Sequence, residues 1–217
     1  MSIINSKLPD VDIPETDLPT FFFNRLHDNA EFARKDDPRP LLIDGDVDDG
    51  ESLTLAELES LTTRLASGLY HTMGVRPGDV VAIVSPNTIY YSATVMAVLM
   101  IGAVSTLANP AYTPRELAHQ LVDSGTKFVI ASADALSTAQ AAIDEDTHST
   151  LSRISLAEHA LAIGKDSVSV GGAHVRSIFS VLSDIEFPRI LLTTGQETKT
   201  TAALLCYSSG TTGLPKG

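Results

Sequence analysis

Between residues 54 and 143, segments whose apolar residues have helical spacing are followed in turn by segments whose apolar residues have the spacing of strands. Leucines at three- and four-residue steps predict an amphipathic helix, with the inward positions Leu58, Leu61, Leu65 and Leu69. Thr54 and Glu57 have the spacing of a capping box, which predicts where this helix begins. A continuous apolar run follows at 80–84. Such a run is typical of a strand that is covered on both faces, as in a parallel sheet.

The same two patterns continue to residue 143. They predict a helix over 89–101, a strand over 104–107, a helix capped by Thr113 and Glu116 with Leu117, Leu121 and Val122 turned inward, a strand over 127–131 and a helix over 133–143. Helices and strands that alternate in this way, joined by right-handed crossovers, build a layered fold. The predicted fold class is therefore α/β, with a mainly parallel sheet flanked by helices.

The rest of the chain gives weaker patterns on either side of this α/β part. We divide the sequence into an extended arm at 1–19, the α/β part at 20–143, a part with only short apolar runs at 144–199, and a strand with a loop at 200–217. Within the third part, 175–182 predicts a helix and 189–192 a strand.

Two short elements are predicted near the amino terminus. Asp17 has the position of a helix cap, with Pro19 in the first turn of the helix that follows. Leu41-Leu42-Ile43 and Ser52-Leu53-Thr54 flank an acidic turn that contains glycine, which predicts a surface hairpin. We interpret the acidic turn as solvated rather than metal-binding, because consecutive carboxylates are not a typical ligand set.

Charge excludes one class of function. Acidic residues outnumber basic ones by 27 to 15, so the surface should repel nucleic acid.

No charged residue lies between Asp79 and Arg115, and a stretch of this length could cross a bilayer. The turn at 85–87 and Asn109-Pro110 interrupt the stretch. We expect this stretch to be buried core rather than a membrane span.

The first twenty residues contain no apolar segment of the secretory kind, which favours an intracellular protein. The single cysteine, Cys206, cannot form an internal disulfide and is interpreted as a small buried hydrophobe in a reducing compartment. The cytoplasm is the default location, and the peroxisome is the alternative.

The last residues carry the chemistry. An apolar run at 202–207 leads into a polar, glycine-rich segment at 208–217. Glycines let backbone amides approach an anion closely, hydroxyls donate hydrogen bonds, and a lysine offsets negative charge, so the segment suits a polyphosphate. A flexible linker has a similar composition. We prefer the phosphate loop, because a strand leads directly into the segment and Pro215 stiffens it.

The segment does not fit two common phosphate-binding motifs. A Walker A loop needs a second glycine five residues after the first, where this sequence has Pro215, and a Ser or Thr after the lysine, where it has Gly217. The dinucleotide pattern also fails, because no glycine lies between Gly210 and Gly213.

The sequence YSSGTTGLPKG at 207–217 resembles the phosphate-loop signature of adenylate-forming (AMP-binding) enzymes, which include acyl-CoA synthetases, coumarate-CoA ligases, luciferases and peptide-synthetase adenylation domains. Three earlier segments are similar to family motifs in the same order: SLTLAEL at 52–58, GVRPGDVVAIVSPN at 74–87 and LMIGAVSTLANPAYTPREL at 99–117. The resemblance implies that residues 1–217 are a partial N-terminal AMP-binding domain.

The resemblance also implies the site and its substrates. It assigns Ser208, Ser209, Gly210, Thr211, Thr212, Gly213 and Lys216 to the phosphates of ATP. It implies Mg²⁺, coenzyme A and a small carboxylic acid, with an acyl-adenylate as the intermediate. The catalytic residues and the C-terminal domain are expected beyond Gly217, so residues 1–217 alone are expected not to make a thioester.

Details within the motifs favour the acyl-CoA synthetase or 4-coumarate-CoA ligase branch. Peptide-synthetase domains usually carry Ala-Tyr-x-Pro after the glycine of the second motif, whereas Gly102 is followed by AVSTLANP at 103–110. The alternatives are a peptide-synthetase adenylation module, a luciferase-like oxidase, or a non-catalytic α/β binding protein derived from such an enzyme.

Overall fold

The structure of the protein is a computed structural model that describes residues 13–29, 38–45, 50–146, 150–208 and 217. The helices are α1 Leu18–Asp28, α2 Leu55–His71, α3 Tyr91–Met100, α4 Pro114–Asp123, α5 Ala133–Asp144, α6 Leu156–His159 and α7 Gly195–Thr200. The strands are β1 Leu42–Ile43, β2 Ser52–Leu53, β3 Val80–Val84, β4 Val104–Ala108, β5 Thr126–Ala131, β6 Ala160–Ala162, β7 Val168–Val170, β8 Ala173–Ser177 and β9 Leu204–Cys206.

The central sheet has the strand order β7-β8-β6-β5-β3-β4-β9. Neighbouring strands are parallel except for β7 and β8, which are antiparallel. The chain moves from β3 outward to β4, returns to β5 on the other side of β3, and later adds β9 beside β4. This confirms the α/β class with a mainly parallel sheet flanked by helices.

Helices cover both faces of the sheet. Because successive residues of a strand point to opposite faces, neighbouring residues of one strand pack against different helices. Val81 packs with residues of α2 and α3, whereas Ala82 and Val84 pack with residues of α4 and α5. Ile83 packs against Val95 and Leu99 of α3. The continuous apolar run of β3 is therefore explained by burial on both sides.

The predicted helix starts are confirmed in atomic detail. The hydroxyls of Thr54 and Thr113 accept the backbone N–H of Glu57 and Glu116, and each glutamate accepts the backbone N–H of its threonine in return. Asp17 caps α1 by accepting the backbone N–H of Thr20 at 2.9 Å. The predicted hairpin is also present, since β1 and β2 pair antiparallel.

Two predictions in the third part of the chain are wrong. Residues 175–182 do not form one helix: they complete β8 and then form a short 3₁₀ turn at Ile178–Val181. Strand pairing of Val175 with Val168 and of Arg176 with Leu161 uses the backbone groups that a helix would need. No strand forms at 189–192 within the described residues, where a single backbone bond joins Ile190 to Met100.

Val122 was also predicted wrongly. Its side chain is 37% exposed, whereas Leu117 and Leu121 are fully buried. The inward face of α4 contains Gln120 in its place. Among the helices that the structure describes, none has the length and apolar character needed to cross a membrane.

Candidate functional site

The predicted phosphate-binding segment begins where strand β9 ends. Ser208, the first residue assigned to the phosphates, lies two residues after Cys206 and is exposed. Ser209, Gly210, Thr211, Thr212, Gly213 and Lys216 lie outside the described residues. The structure therefore gives the base from which the segment leaves the sheet.

Strand β9 is a half-buried edge strand in the described sheet. It pairs in parallel with β4, with Leu204 beside Ser105 and Cys206 beside Leu107. Leu204 packs against the cluster that contains Ile83 and Leu99. The strand has a described neighbour on one side only, so its other edge is not covered by a described strand. The same position explains why Cys206 is exposed rather than buried.

The carboxyl ends of β3, β4, β5 and β9 lie at one edge of the sheet because these strands are parallel. A polar residue follows within two positions of each end: Ser85, Asn109, Ser132 and Ser208. The chain leaves β3 towards α3 on one face and leaves β4 towards α4 on the other. Ligands of open α/β sheets bind where connections diverge in this way.

A buried polar network lies between α4 and the paired strands β4 and β9. The Nε2 of Gln120 donates to Oγ1 of Thr106 at 2.8 Å and to the carbonyl of Leu107 at 3.3 Å. The Thr106 hydroxyl donates to the carbonyl of Leu205 in β9 at 3.3 Å. Gln120 and Thr106 are fully buried. The hydrogen bonds thus connect α4 through β4 to the strand that carries Ser208.

This network was not predicted from the sequence. The available signal was a polar side chain at an inward position of a helix, one residue before Leu121. A buried amide is costly unless its hydrogen bonds are made, so its presence indicates a specific partner. The Oε1 of Gln120 and the Oγ of Ser105 are buried without a hydrogen-bond partner among the described atoms.

Tyr207 lies between β9 and the predicted phosphate segment. Its hydroxyl donates to Oδ2 of Asp123, the last residue of α4, at 2.5 Å. Burial raises the pKa of Tyr207, and the hydrogen bond to the Asp123 carboxylate raises it further. The phenol therefore keeps its proton and remains a hydrogen-bond donor.

A large cleft lies elsewhere. It has a volume of about 710 Å³ and opens between residues 13–18 and α7, beside Ala203. Ala203 precedes β9, whereas Ser208 follows it. The cleft therefore belongs to the opposite end of this strand and does not include the described part of the predicted site.

The described residues contain no group of three or more His, Cys, Asp or Glu side chains placed to hold a metal ion. The segment 207–217 itself carries hydroxyls, backbone amides and one lysine, but no carboxylate. This donor set suits phosphate oxygens, whereas carboxylates are the protein ligands that usually hold Mg²⁺.

Comparison with known proteins gives sequence relatives over the whole chain. It is 33% identical over 217 residues to 4-coumarate-CoA ligase 1 of Narcissus pseudonarcissus, covering 100% of this chain and 35% of that protein. It is 36% identical over 221 residues to 4-coumarate--CoA ligase 3 of Arabidopsis thaliana, covering 99% of this chain and 34% of that protein. The chain thus spans about a third of the length of these relatives.

The fold is also found in solved structures. A long-chain-fatty-acid-CoA ligase from Archaeoglobus fulgidus superposes with a TM-score of 0.70 at 24% identity, over 98% of this chain and 38% of that one. The family model described as AMP-binding enzyme matches residues 29–217, which include all the motifs noted in the sequence. The chain therefore belongs to the AMP-binding enzyme family.

Proposed function

We propose that residues 1–217 are the N-terminal part of an ATP-dependent carboxylate–CoA ligase and contribute its triphosphate-binding loop. The position of β9 is the observation that supports this most directly. Its parallel pairing with β4 brings Ser208 to the carboxyl edge of the sheet, where ligands of this fold class bind. The glycine- and hydroxyl-rich sequence begins at that point.

In the proposed site, the hydroxyls of Ser208, Ser209, Thr211 and Thr212 and the amides of Gly210 and Gly213 donate to phosphate oxygens. Lys216 offsets the charge of the triphosphate. Mg²⁺, when bound, would neutralise further charge on the phosphates, and it would be held by phosphate oxygens and by groups outside 207–217. The role of this segment is to orient and stabilise, and it supplies no nucleophile.

The proposed reaction has two steps. The carboxylate of the acid attacks the α-phosphorus of ATP, so that an acyl-adenylate forms and pyrophosphate leaves. The thiol of coenzyme A then attacks the acyl carbon, and AMP leaves. The donors around 208–216 act in the first step, where negative charge accumulates on the departing pyrophosphate.

The same proposal gives the organisation of the chain. Residues 1–19 form an arm, 20–143 the helix and strand part, 144–199 the connecting part, and 200–217 the strand with the phosphate loop. Groups that bind adenine, ribose, the acyl chain and coenzyme A are proposed to lie beyond Gly217. The names of the sequence relatives support the 4-coumarate-CoA ligase branch rather than a peptide-synthetase module.

A calorimetric titration of the 217-residue chain with Mg²⁺-ATP measures the ATP dissociation constant and tests the nucleotide assignment. Lys216→Ala should raise the ATP dissociation constant about tenfold or more, because a charge-assisted hydrogen bond to phosphate is lost. Lys199→Ala is the matched control, since Lys199 is an exposed lysine on α7 and its removal changes the net charge equally. Equal affinities of the two variants would contradict the assignment.

A further inference from the structure

The cleft between residues 13–18 and α7 is built by two segments that are far apart in the sequence. One segment is 13–21, which leads into α1, and the other is 192–203, which contains α7 and leads into β9. The cleft volume of about 710 Å³ is within the range of about 300–1,000 Å³ that is usual for small-molecule sites. The fold thus brings these segments together around a space of the size that a small ligand needs.

Apolar side chains form much of the cleft lining. The apolar residues that line it are Ile13, Pro14, Leu18, Phe21, Leu192 and Ala203. Ile13 is 80% exposed and Leu18 is 38% exposed, so both present apolar surface to solvent. Leu191, the residue before Leu192, is also exposed. Apolar surface that is grouped in this way marks a binding site, whereas single exposed apolar residues are ordinary.

The two carboxylates in the lining already have contacts within the protein. Asp17 accepts hydrogen bonds from the backbone N–H and the hydroxyl of Thr20, both at 2.9 Å, and it lies 3.9 Å from Arg189. Glu15 packs against the first residue of α7, since a Cβ added to Gly195 would lie 2.1 Å from its Oε1. These contacts engage both acidic side chains at the starts of α1 and α7.

Lys199 is the one lysine or arginine among the residues that line the cleft. It lies in the last turn of α7 and is exposed. Among the described residues, no carboxylate forms an ion pair with it. The cleft therefore combines apolar surface with one ammonium group whose charge is not paired there.

We propose that this cleft binds a small apolar monocarboxylate, whose carboxylate pairs with Lys199 and whose apolar body packs against Leu18 and Phe21. An ammonium group beside apolar surface matches the two parts of such a molecule. The cleft lies at the Ala203 end of β9, whereas Ser208 follows the other end. The inference therefore goes beyond the proposed function and does not depend on nucleotide binding.

Naphthoate and naphthamide are matched probes for this site, because they share a rigid apolar body and differ in charge. Calorimetric titration of the 217-residue chain should show one site that binds naphthoate about three- to tenfold more tightly than naphthamide. This ratio is expected for a charge-assisted hydrogen bond that is partly exposed to solvent. Equal affinities, or no saturable binding of naphthoate up to its solubility limit, would overturn the proposal.

Lys199→Ala should weaken naphthoate binding by the same factor and leave naphthamide binding unchanged. Lys199→Arg should retain the preference for naphthoate, because a guanidinium group also pairs with a carboxylate. Arg115→Ala is the control, since Arg115 is an exposed cation on α4 and its removal changes the net charge equally. If Lys199→Ala and Arg115→Ala had the same effect, net charge would explain the binding and the site would be rejected.

Leu18→Ala tests the apolar part of the site. Leu18 is at the surface, so the fold should persist, and circular dichroism checks this. The variant should weaken both probes by about two- to fivefold, because apolar contact is lost. Unchanged affinity for both probes would contradict the proposed location.

Competition with Mg²⁺-ATP separates this site from the proposed phosphate segment. Naphthoate affinity should be the same with and without saturating Mg²⁺-ATP, because the two sites lie at opposite ends of β9. If the nucleotide displaced naphthoate, the acid would bind at the nucleotide site. That result would overturn the present proposal while supporting nucleotide binding by the chain.

Discussion

Glu51 is held by two partners on different parts of the chain. The hydroxyl of Tyr90 donates to one of its carboxylate oxygens, and Nζ of Lys165 bonds to the other. The hydrogen bond from Lys165, followed by that from Tyr90, lowers the pKa of Glu51. Burial, followed by the bond to Glu51, raises the pKa of Tyr90. The contacts join the residue before β2 to the start of α3 and to the loop after β6.

We expect Glu51 to contribute to the loss of stability in acid. Because its pKa in the folded protein is below the ordinary value of 4.5, its contribution is complete above that value and is lost as the pH falls through the lowered pKa. The side chain is 48% exposed, so solvent screening limits the contribution to about 1 kcal/mol or less. Glu51→Gln should therefore lower the free energy of unfolding near neutral pH and change it little in acid.

Urea unfolding at about pH 7 and about pH 3.5 measures this difference. Glu158→Gln, a change of an exposed glutamate on α6, serves as the control. If the free energy of unfolding depends on pH in the same way in both variants, Glu51 does not make the expected contribution to stability.

The contacts that were predictable at this scale are the local ones. Thr54 and Glu57 are three residues apart, so their reciprocal hydrogen bonds follow from the spacing alone. Tyr207 and Asp123 are 84 residues apart, and Glu51 and Lys165 are 114 apart. Contacts of this range depend on the order of strands in the sheet, and no local pattern contains that information.

Helix α2 packs unusually closely against the 3₁₀ turn at Ile178–Val181. A Cβ at Gly68 would lie 1.9 Å from the carbonyl oxygen of Val181. In an exposed helix interior, replacing glycine by alanine stabilises by roughly 1 kcal/mol. Here we expect Gly68→Ala to destabilise by about 1–3 kcal/mol, because the turn must move away from the helix.

Thermal and urea unfolding measure the effect of Gly68→Ala. Gly45→Ala is the control, because no atom lies within 4 Å of the added Cβ. The control should change stability by about 0.5 kcal/mol or less, as usual for a surface substitution. Equal stabilities of the two variants would show that the turn adapts without cost.

Elements with one dominant pattern were predicted well, and those with two competing patterns were not. The continuous run of β3 fits only a covered strand. In the wrongly predicted helix at 175–182, apolar residues fit helical spacing, but Val175 and Ser177 also alternate with His174 and Arg176 in strand spacing. Pairing with β6 and β7 selects the strand there, and Ser177 then caps the 3₁₀ turn.

At the scale of the molecule, the class of fold was predictable and the arrangement of strands was not. Alternation of helices and strands implies a parallel sheet. It does not predict that β9 pairs with β4, although the paired residues of the two strands are nearly 100 positions apart in the sequence. That pairing brings Ser208 to the same edge as the ends of β3 and β4. The candidate site thus combines a motif that is visible in the sequence with a position that only the sheet provides.

The chain spans about a third of its sequence relatives, and this leads to a prediction for residues 1–217 as an isolated polypeptide. A phosphate loop can orient a triphosphate, but adenylate formation also requires the acid to be held in line with the α-phosphorus. We therefore expect no ATP-dependent thioester from 4-coumarate and coenzyme A, even if the polypeptide binds ATP. Chromatographic detection of acyl-CoA, with the Arabidopsis thaliana relative as positive control, measures this. Thioester that requires ATP and disappears in Lys216→Ala would contradict the expectation, because residues 1–217 would then contain a complete catalytic site.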